Sequence, residues 1–280
     1  MSYTTVNDLP TAVLEGLRTG SLAPYLGADM LSLCTAVPVP GNPLELAAFL
    51  SNKSSVPGKI RNRITAVAQF IENFKHRKTL VGYMNEAFAP TPTSSALHRW
   101  LAAQPAPLIV DTWYDDTMRS TLAARTDWAE VQGLSQSEHF GTWVGWTNSR
   151  GESSPDPIEA TTVLYKPWGG HGPSANYLVS DTDMVEVLTE IDIQTPIPAL
   201  VQERRASLGF VFLGCRFNDQ LPRAFARQIM KRSKGPHFAV LPEEPTRMEA
   251  RFLEEQGITR IALPLAEVAE RLTADAVLTA

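Results

Sequence analysis

From residue 161 onward the chain alternates short apolar runs with amphipathic stretches, and this rhythm most limits what it can fold into. Strands are expected over Thr161–Tyr165, Leu208–Leu213, His237–Leu241 and Ile258–Leu263. Apolar residues at three-to-four spacing predict helices from Asp181, near Pro198, from Asp219, near Thr246 and over Leu265–Leu272. Such alternation buries both faces of a sheet beneath helices, so the reading is an α/β fold with a mainly parallel sheet.

The first half adds two strands and a helical block. A helix begins after Asp8, with Pro10 in its first turn, Val13, Leu14 and Leu17 on one face and Gly20 as its stop. It feeds the first strand, Ala23-Pro24-Tyr25-Leu26, which ends abruptly at Gly27-Ala28-Asp29. A second strand, Leu108 to Asp111, ends in Thr112-Trp113-Tyr114-Asp115-Asp116. Strands that stop in this way deliver polar groups to the carboxyl edge of a sheet. Between them Leu46, Phe49 and Leu50, then Ile60, Ile64, Val67, Ile71 and Phe74, then Leu80, Val81 and Met84 mark a helical insert over about 42–105. Ser94 or Ser95 caps its last helix, which carries Leu97 and Trp100. Residues 120–158 lack a clear period, read as an irregular excursion, and include a loop from Gly151 to Pro157. The whole of 1–280 is taken as one domain.

Several function classes fall away on composition. With 280 residues, of which 44% are hydrophobic and 20% charged, the chain can bury a full core. A net charge of -5 and the absence of a long Lys/Arg run argue against nucleic acid and anionic membranes as partners. The start, Met1 to Asp8, lacks the charged and apolar regions of a leader, and no apolar stretch approaches the ~20 residues that span a bilayer. A cytoplasmic location is expected. Two cysteines, Cys34 and Cys215, cannot build a four-thiolate zinc site, and His76, His98, His139, His171 and His237 are scattered, so no metal is expected.

Four segments, in order, resemble the sirtuin-like (silent-information-regulator-like) family of its zinc-less bacterial type. Leu26-Gly27-Ala28-Asp29 is similar to the family's Gly-Ala-Gly-x-Ser loop, and Asp111-Thr112-Trp113-Tyr114-Asp115 to its Thr-Thr-Asn-Tyr-Asp segment. Tyr165-Lys166-Pro167-Trp168-Gly169 stands at the Lys-x-His-Gly signature, followed by Tyr177-Leu178-Val179-Ser180 and Asp183. Gly214-Cys215-Arg216-Phe217-Asn218-Asp219 resembles the strand end Gly-x-Ser-x-x-Asp. The resemblance implies a Rossmann-like sheet with a nucleotide crevice across its strand ends. NAD or ADP-ribose is the implied ligand, with Gly27, Ala28, Asp29, Thr112, Trp113, Trp168, Gly214, Arg216 and Asp219 around it. The family cleaves the bond between nicotinamide and ribose, and its zinc-less relatives often do so in bacterial antiphage defence.

The departures bear on activity. Trp113 stands at the amide position and Trp168 at the imidazole position, and an indole offers one donor and no acceptor. Losing a general base typically costs ~10²–10⁴ in rate. Asp29 replaces the loop's second glycine, where a carboxylate repels a diphosphate, and Arg216 replaces a serine that faces the ribose. Three readings stay open. One is a degenerate domain kept as a nucleotide sensor or protein-binding module, in which the two indoles hold an aromatic ring and Arg216 pairs with a phosphate. Another is an active NAD glycohydrolase in which His171, on Gly169-Gly170-His171-Gly172, acts with Asp29, Asp111 or Asp115. The third is an interaction scaffold whose crevice is plugged by its own tryptophans. Asp115 is also expected to cap the helix that follows it, His98 to pack or cap, and Cys215 to be inert.

Overall fold

The computed structural model describes residues 3–190 and 197–274. Twelve strands occur among them: β1 Thr5–Val6, β2 Leu22–Leu26, β3 Leu108–Asp111, β4 Trp128–Gly133, β5 Val144–Asn148, β6 Ser153–Ser154, β7 Thr162–Lys166, β8 Gly169–Gly170, β9 Asn176–Tyr177, β10 Gly209–Leu213, β11 His237–Val240 and β12 Ile258–Ile261. Ten form one sheet in the order β1-β12-β11-β10-β2-β3-β7-β4-β5-β6. It is parallel from β1 to β4, and the antiparallel β5 and β6 finish one edge. This is the mainly parallel, Rossmann-like sheet that the alternation and the resemblance predict. A separate antiparallel pair joins β8 to β9.

Alternate strand residues face opposite layers, as the pleat requires. Ala23, Tyr25, Val110, Tyr165, Phe210 and Phe212 pack beneath α8 (Ala199–Arg205), α9 (Gln220–Met230) and α10 (Arg247–Glu255). Leu22, Leu26, Ile109, Leu164, Val211 and Leu213 face α1 (Thr11–Thr19), α5 (Ala96–Ala103), α6 (Thr117–Leu122) and α11 (Leu265–Thr273). Pro24 lies inside β2, an interior strand, yet interrupts no ladder. Gly27 N donates to β10 and Leu26 O accepts from Thr112 after β3, so Pro24 has the parity that faces β3, and pairing with β3 starts only at Tyr25.

The expected insert follows β2 as α2 (Pro43–Lys53), α3 (Ile64–Lys75) and α4 (Arg77–Phe88). Asn42 caps α2 through its side-chain oxygen, and Pro43 opens it. These helices build their own core from Leu46, Leu50, Val67, Ile71, Leu80 and Met84, closed against Trp113, Tyr114 and Tyr177. α5, capped by Ser95, packs on the sheet, so the insert's own core stops at α4. α7 (Asp181–Glu190) crosses near α3.

Three local expectations need correction. Pro10 is the cap before α1 rather than a residue of its first turn. The two-residue β1 precedes α1 and pairs with β12, too short to show a period. The stretch 120–158, read as irregular, contains β4, which pairs in parallel with β7 and is buried throughout. β4 escaped notice because Glu130 and Gln132 interrupt its apolar pattern, and both are buried with polar partners.

Candidate functional site

In open parallel sheets ligands bind beyond the carboxyl ends of strands where the strand order reverses. Here that point is β2, flanked by β10 and β3. The loop after β2 turns at once into a short 3-10 helix, Ala28–Leu33, and closes on the loop after β10. Gly27 N donates to Leu213 O at 2.9 Å, and Asp29 N donates to Gly214 O at 3.1 Å. Both glycines are required by the approach. A Cβ on Gly27 would lie 2.2 Å from Gly214 O, and Gly214 has φ +64° with Met30 N 2.5 Å from its ideal Cβ. Thus two amides that a phosphate would want are already engaged by protein carbonyls.

The β3 side is equally self-satisfied. Thr112 donates twice to Leu26 O, from N at 3.0 Å and from Oγ1 at 2.8 Å. Trp113 N donates to Asp111 Oδ1 at 3.1 Å, and its indole Nε1 donates to Pro40 O at 2.9 Å. Trp113 is buried edge-on against Phe88, which belongs to the insert. Beneath the strand ends lies a cavity of ≈ 10 Å³ bounded by Gly27, Met30, His98, Asp111, Trp113 and Asp115. That is about the room for a single water.

The two indoles do not face each other as a clamp. Tyr114 bridges them, its ring centroid 5.2 Å from Trp113 and 6.4 Å from Trp168, while its hydroxyl donates to Leu178 O at 2.8 Å. Trp168 packs edge-on against Phe225 on its other side, and its Nε1 is buried with no partner among the described residues. A ring held between Trp113 and Trp168 would have to displace Tyr114.

His171 and Asp115, the catalytic pair implied by the active reading, share no hydrogen bond among the described residues. Asp115 Oδ2 accepts from Thr117 N at 2.9 Å and from the Thr117 hydroxyl at the start of α6, so it fixes the turn, but the cap position expected for it is held by Asp116. His171 is absent from the cavity wall. Its backbone amide donates to Tyr114 O at 2.9 Å, and its Nδ1 lies 3.3 Å from the Tyr177 hydroxyl, which in turn donates to Asn85. The glycines before it form β8 against β9, and Gly172 N donates to Asp116 Oδ1 at 3.0 Å, so the segment is fastened at several points.

The remaining positions lie on the rim. Ala28 is half-buried against the insert. Asp29 is half-buried, and burial pushes its carboxyl above the usual range despite the nearby Arg216 guanidinium. Arg216 donates to Glu243 at 2.7 Å, and Asp219 accepts from Leu221 N as the cap of α9. Cys215 is buried and its thiol is pushed well up by burial, which makes it inert. His98 is buried beside Ser95 Oγ at 2.8 Å, and desolvation pulls its imidazole down to about 4. At neutral pH it is uncharged.

Sequence reasoning missed the charged network below this site. Lys166, at the end of β7, is fully buried, and its Nζ donates to Asp111 Oδ2 at 2.8 Å and to Asp115 O at 2.9 Å. Burial alone would lower it, but the carboxylates of Asp111, Asp115 and Glu130 outweigh that and hold its ammonium above the ordinary value. Burial pushes Asp111 up to about 6, with Lys166 opposing. Glu130 accepts from Arg119 at 2.7 Å and from Gln132 at 2.6 Å, and burial pushes it up to about 7. The signal that could have found this network was Lys166 itself, a lysine closing an apolar strand.

Glu130 supplies a pH test. Its folded-state value lies above the 4.5 of an ordinary glutamate, so the folded chain holds this proton more tightly than the unfolded one. Its contribution to stability is therefore full below about 4.5 and is lost as pH rises through about 7. Glu130→Gln removes that dependence. Melting curves of both proteins across this range are expected to show the wild type gaining on the variant as pH falls.

A family model for the SIR2-like domain matches residues 107–261, from the residue before β3 to the last residue of β12, more than half of the chain. The chain belongs to the SIR2-like family. SIR2-like domains in general bind NAD, which gives this one a nucleotide-related ancestry. No curated protein matches it. The matched part of this SIR2-like chain holds Asp111, Trp113, Lys166, Trp168 and Gly214, whereas the Gly27 loop and the insert lie outside it. Among the described residues no group of three or more His, Cys, Asp or Glu is placed to hold a metal ion, and no helix is long and apolar enough to cross a membrane. Set against NAD, the amides of Gly27 and Asp29 are already engaged by protein carbonyls, and the half-buried Asp29 carboxyl stands beside them, where it opposes a diphosphate.

Proposed function

We propose that this protein is a catalytically silent SIR2-like module whose nucleotide crevice is closed by its own side chains, and that it acts by binding another protein. The observation that carries this reading is the ≈ 10 Å³ cavity that remains beneath Gly27 and Trp113. A base for hydrolysis is also wanting in place. His171 is tied to Tyr177 away from that cavity, and Asp115 is engaged at the start of α6. A nucleotide sensor is the second reading, favoured by one observation. The buried, unpartnered Nε1 of Trp168 is a donor suited to a ligand oxygen.

Titration with NAD separates the two. A ligand that binds only the folded state raises its melting temperature. The expected result is an unchanged melting temperature, no saturable heat and no release of nicotinamide. Saturable heat with intact NAD would replace this reading by the sensor. Nicotinamide release that His171→Ala abolishes would replace it by the hydrolase.

A further inference from the structure

A second concavity lies on the helical insert rather than at the strand ends. An open cavity of ≈ 510 Å³ sits between the last turns of α2 and α3 and the segment that joins them. Lys53 ends α2, Lys75 ends α3 and Arg61 follows the short 3-10 turn Gly58–Ile60, so three separate elements each bring one cation to its wall. Ser51, Ser54 and Ser55 add hydroxyls, and no carboxylate is among the lining residues.

The cations are only partly answered. Lys53 pairs with Glu86. Arg61 is steadied through Nε on Val56 O at 2.9 Å, and neither it nor Lys75 has an ion-pair partner among the described residues. A helix end of this kind normally presents bare carbonyls that repel anions. Here Lys53 O, the last carbonyl of α2, accepts from the Tyr83 hydroxyl at 3.3 Å and from Lys75 Nζ at 3.5 Å, which blunts that repulsion. Ser54 is 6% exposed, and its hydroxyl, like that of Ser51, is buried with no partner. Both hydroxyl oxygens are shielded from solvent, so the three cations carry the recognition.

We propose that this cavity binds an anionic ligand with adjacent phosphate groups, held by Lys53, Arg61 and Lys75. Three cations from three elements, one of them shared with Glu86, exceed what one phosphate needs and suit the charge of a diphosphate. The cavity also leaves room for an organic substituent. This site is independent of the strand-end crevice and does not rest on the reading given for it.

The test is calorimetric titration of the full chain with inorganic pyrophosphate, repeated with the Arg61→Gln/Lys75→Gln variant. Both side chains are exposed, so the variant is expected to melt with the wild type. Saturable binding to the wild type is expected, weakened at least about tenfold in the variant and by added salt, as charge pairing at an open site requires. Adenosine diphosphate serves as a second probe. Tighter binding than pyrophosphate, lost in the same variant, assigns a nucleotide, whereas equal binding assigns the diphosphate alone. No saturable heat overturns the proposal, and so does binding that the double variant leaves unchanged.

Discussion

Lys166→Met is expected to cost about 3–5 kcal/mol of folding stability, because it strands buried Asp111 without its counter-charge. In a chain of this size that corresponds to a fall of roughly 10 °C in Tm. Methionine fills much the same volume, so the loss reports charge rather than packing. The sign of its pH dependence is fixed. Asp111 already lies above its ordinary 3.8 in the folded chain, raised by burial, and without Lys166 it rises further. A raised carboxyl contributes stability below its unfolded value and loses it as pH climbs through the folded one. The deficit of Lys166→Met should therefore shrink in acid. Adding Asp111→Asn should recover part of the loss at neutral pH, and urea midpoints of the two variants would show it. A single variant as stable as the wild type would mean that water reaches this strand end after all.

The second large effect lies at Asp183. Its carboxylate is buried and accepts from Val179 N and Ser180 N, each at 3.0 Å, from the Ser135 hydroxyl at 2.6 Å and from Arg77 Nη1 at 2.8 Å. Burial alone would raise this carboxyl, but Arg77 and these donors outweigh it and hold it below the usual range. The pair ties α4 of the insert to α7, and Arg77 also reaches the Tyr177 carbonyl. Asp183→Ala is expected to cost about 3–5 kcal/mol, since it leaves a nearly buried guanidinium and two amides without their main acceptor. Arg77→Ala should cost a comparable amount, and the double variant less than the sum, with a coupling of about 0.5–3 kcal/mol. A lowered carboxyl contributes above its unfolded value and is lost as pH falls through the folded one. The wild-type advantage over Asp183→Ala should thus fade in acid, opposite to the behaviour of Glu130. Additive costs would show that the two side chains act separately.

The elements most legible in the sequence were those whose burial is one-sided or complete and whose residues are apolar throughout. β10, β11 and β12 and the helices between them follow from period alone. β4 did not, because a strand holding Glu130 and Gln132 reads as surface until Arg119 and the loop around Gly172 are known to meet them. The site divides in the same way. That Trp113 brings no acceptor to its position followed from its chemistry, whereas its burial against Phe88 of the insert did not. Tyr114 as the ring between two tryptophans did not, because its position depends on the register of β3 against the insert. Asp183 stood out through the family resemblance, yet its partner Arg77 lies 106 residues earlier and carries no local sign of the pairing. Long-range ion pairs leave no period in a sequence.

The pairing of β2 with β10 couples an early stretch of the chain to a late one. During synthesis the insert can gather its own core, and β3 can join β2, long before Leu213 exists. Until then β2 has one bare edge, and the amides of Gly27 and Asp29 lack the carbonyls that later receive them. Contacts of such separation form slowly, and an unpaired interior strand invites pairing with other chains. The junction of the β2 and β10 loops is accordingly exposed to error while the protein is being made, and its completion marks that the sheet has come together.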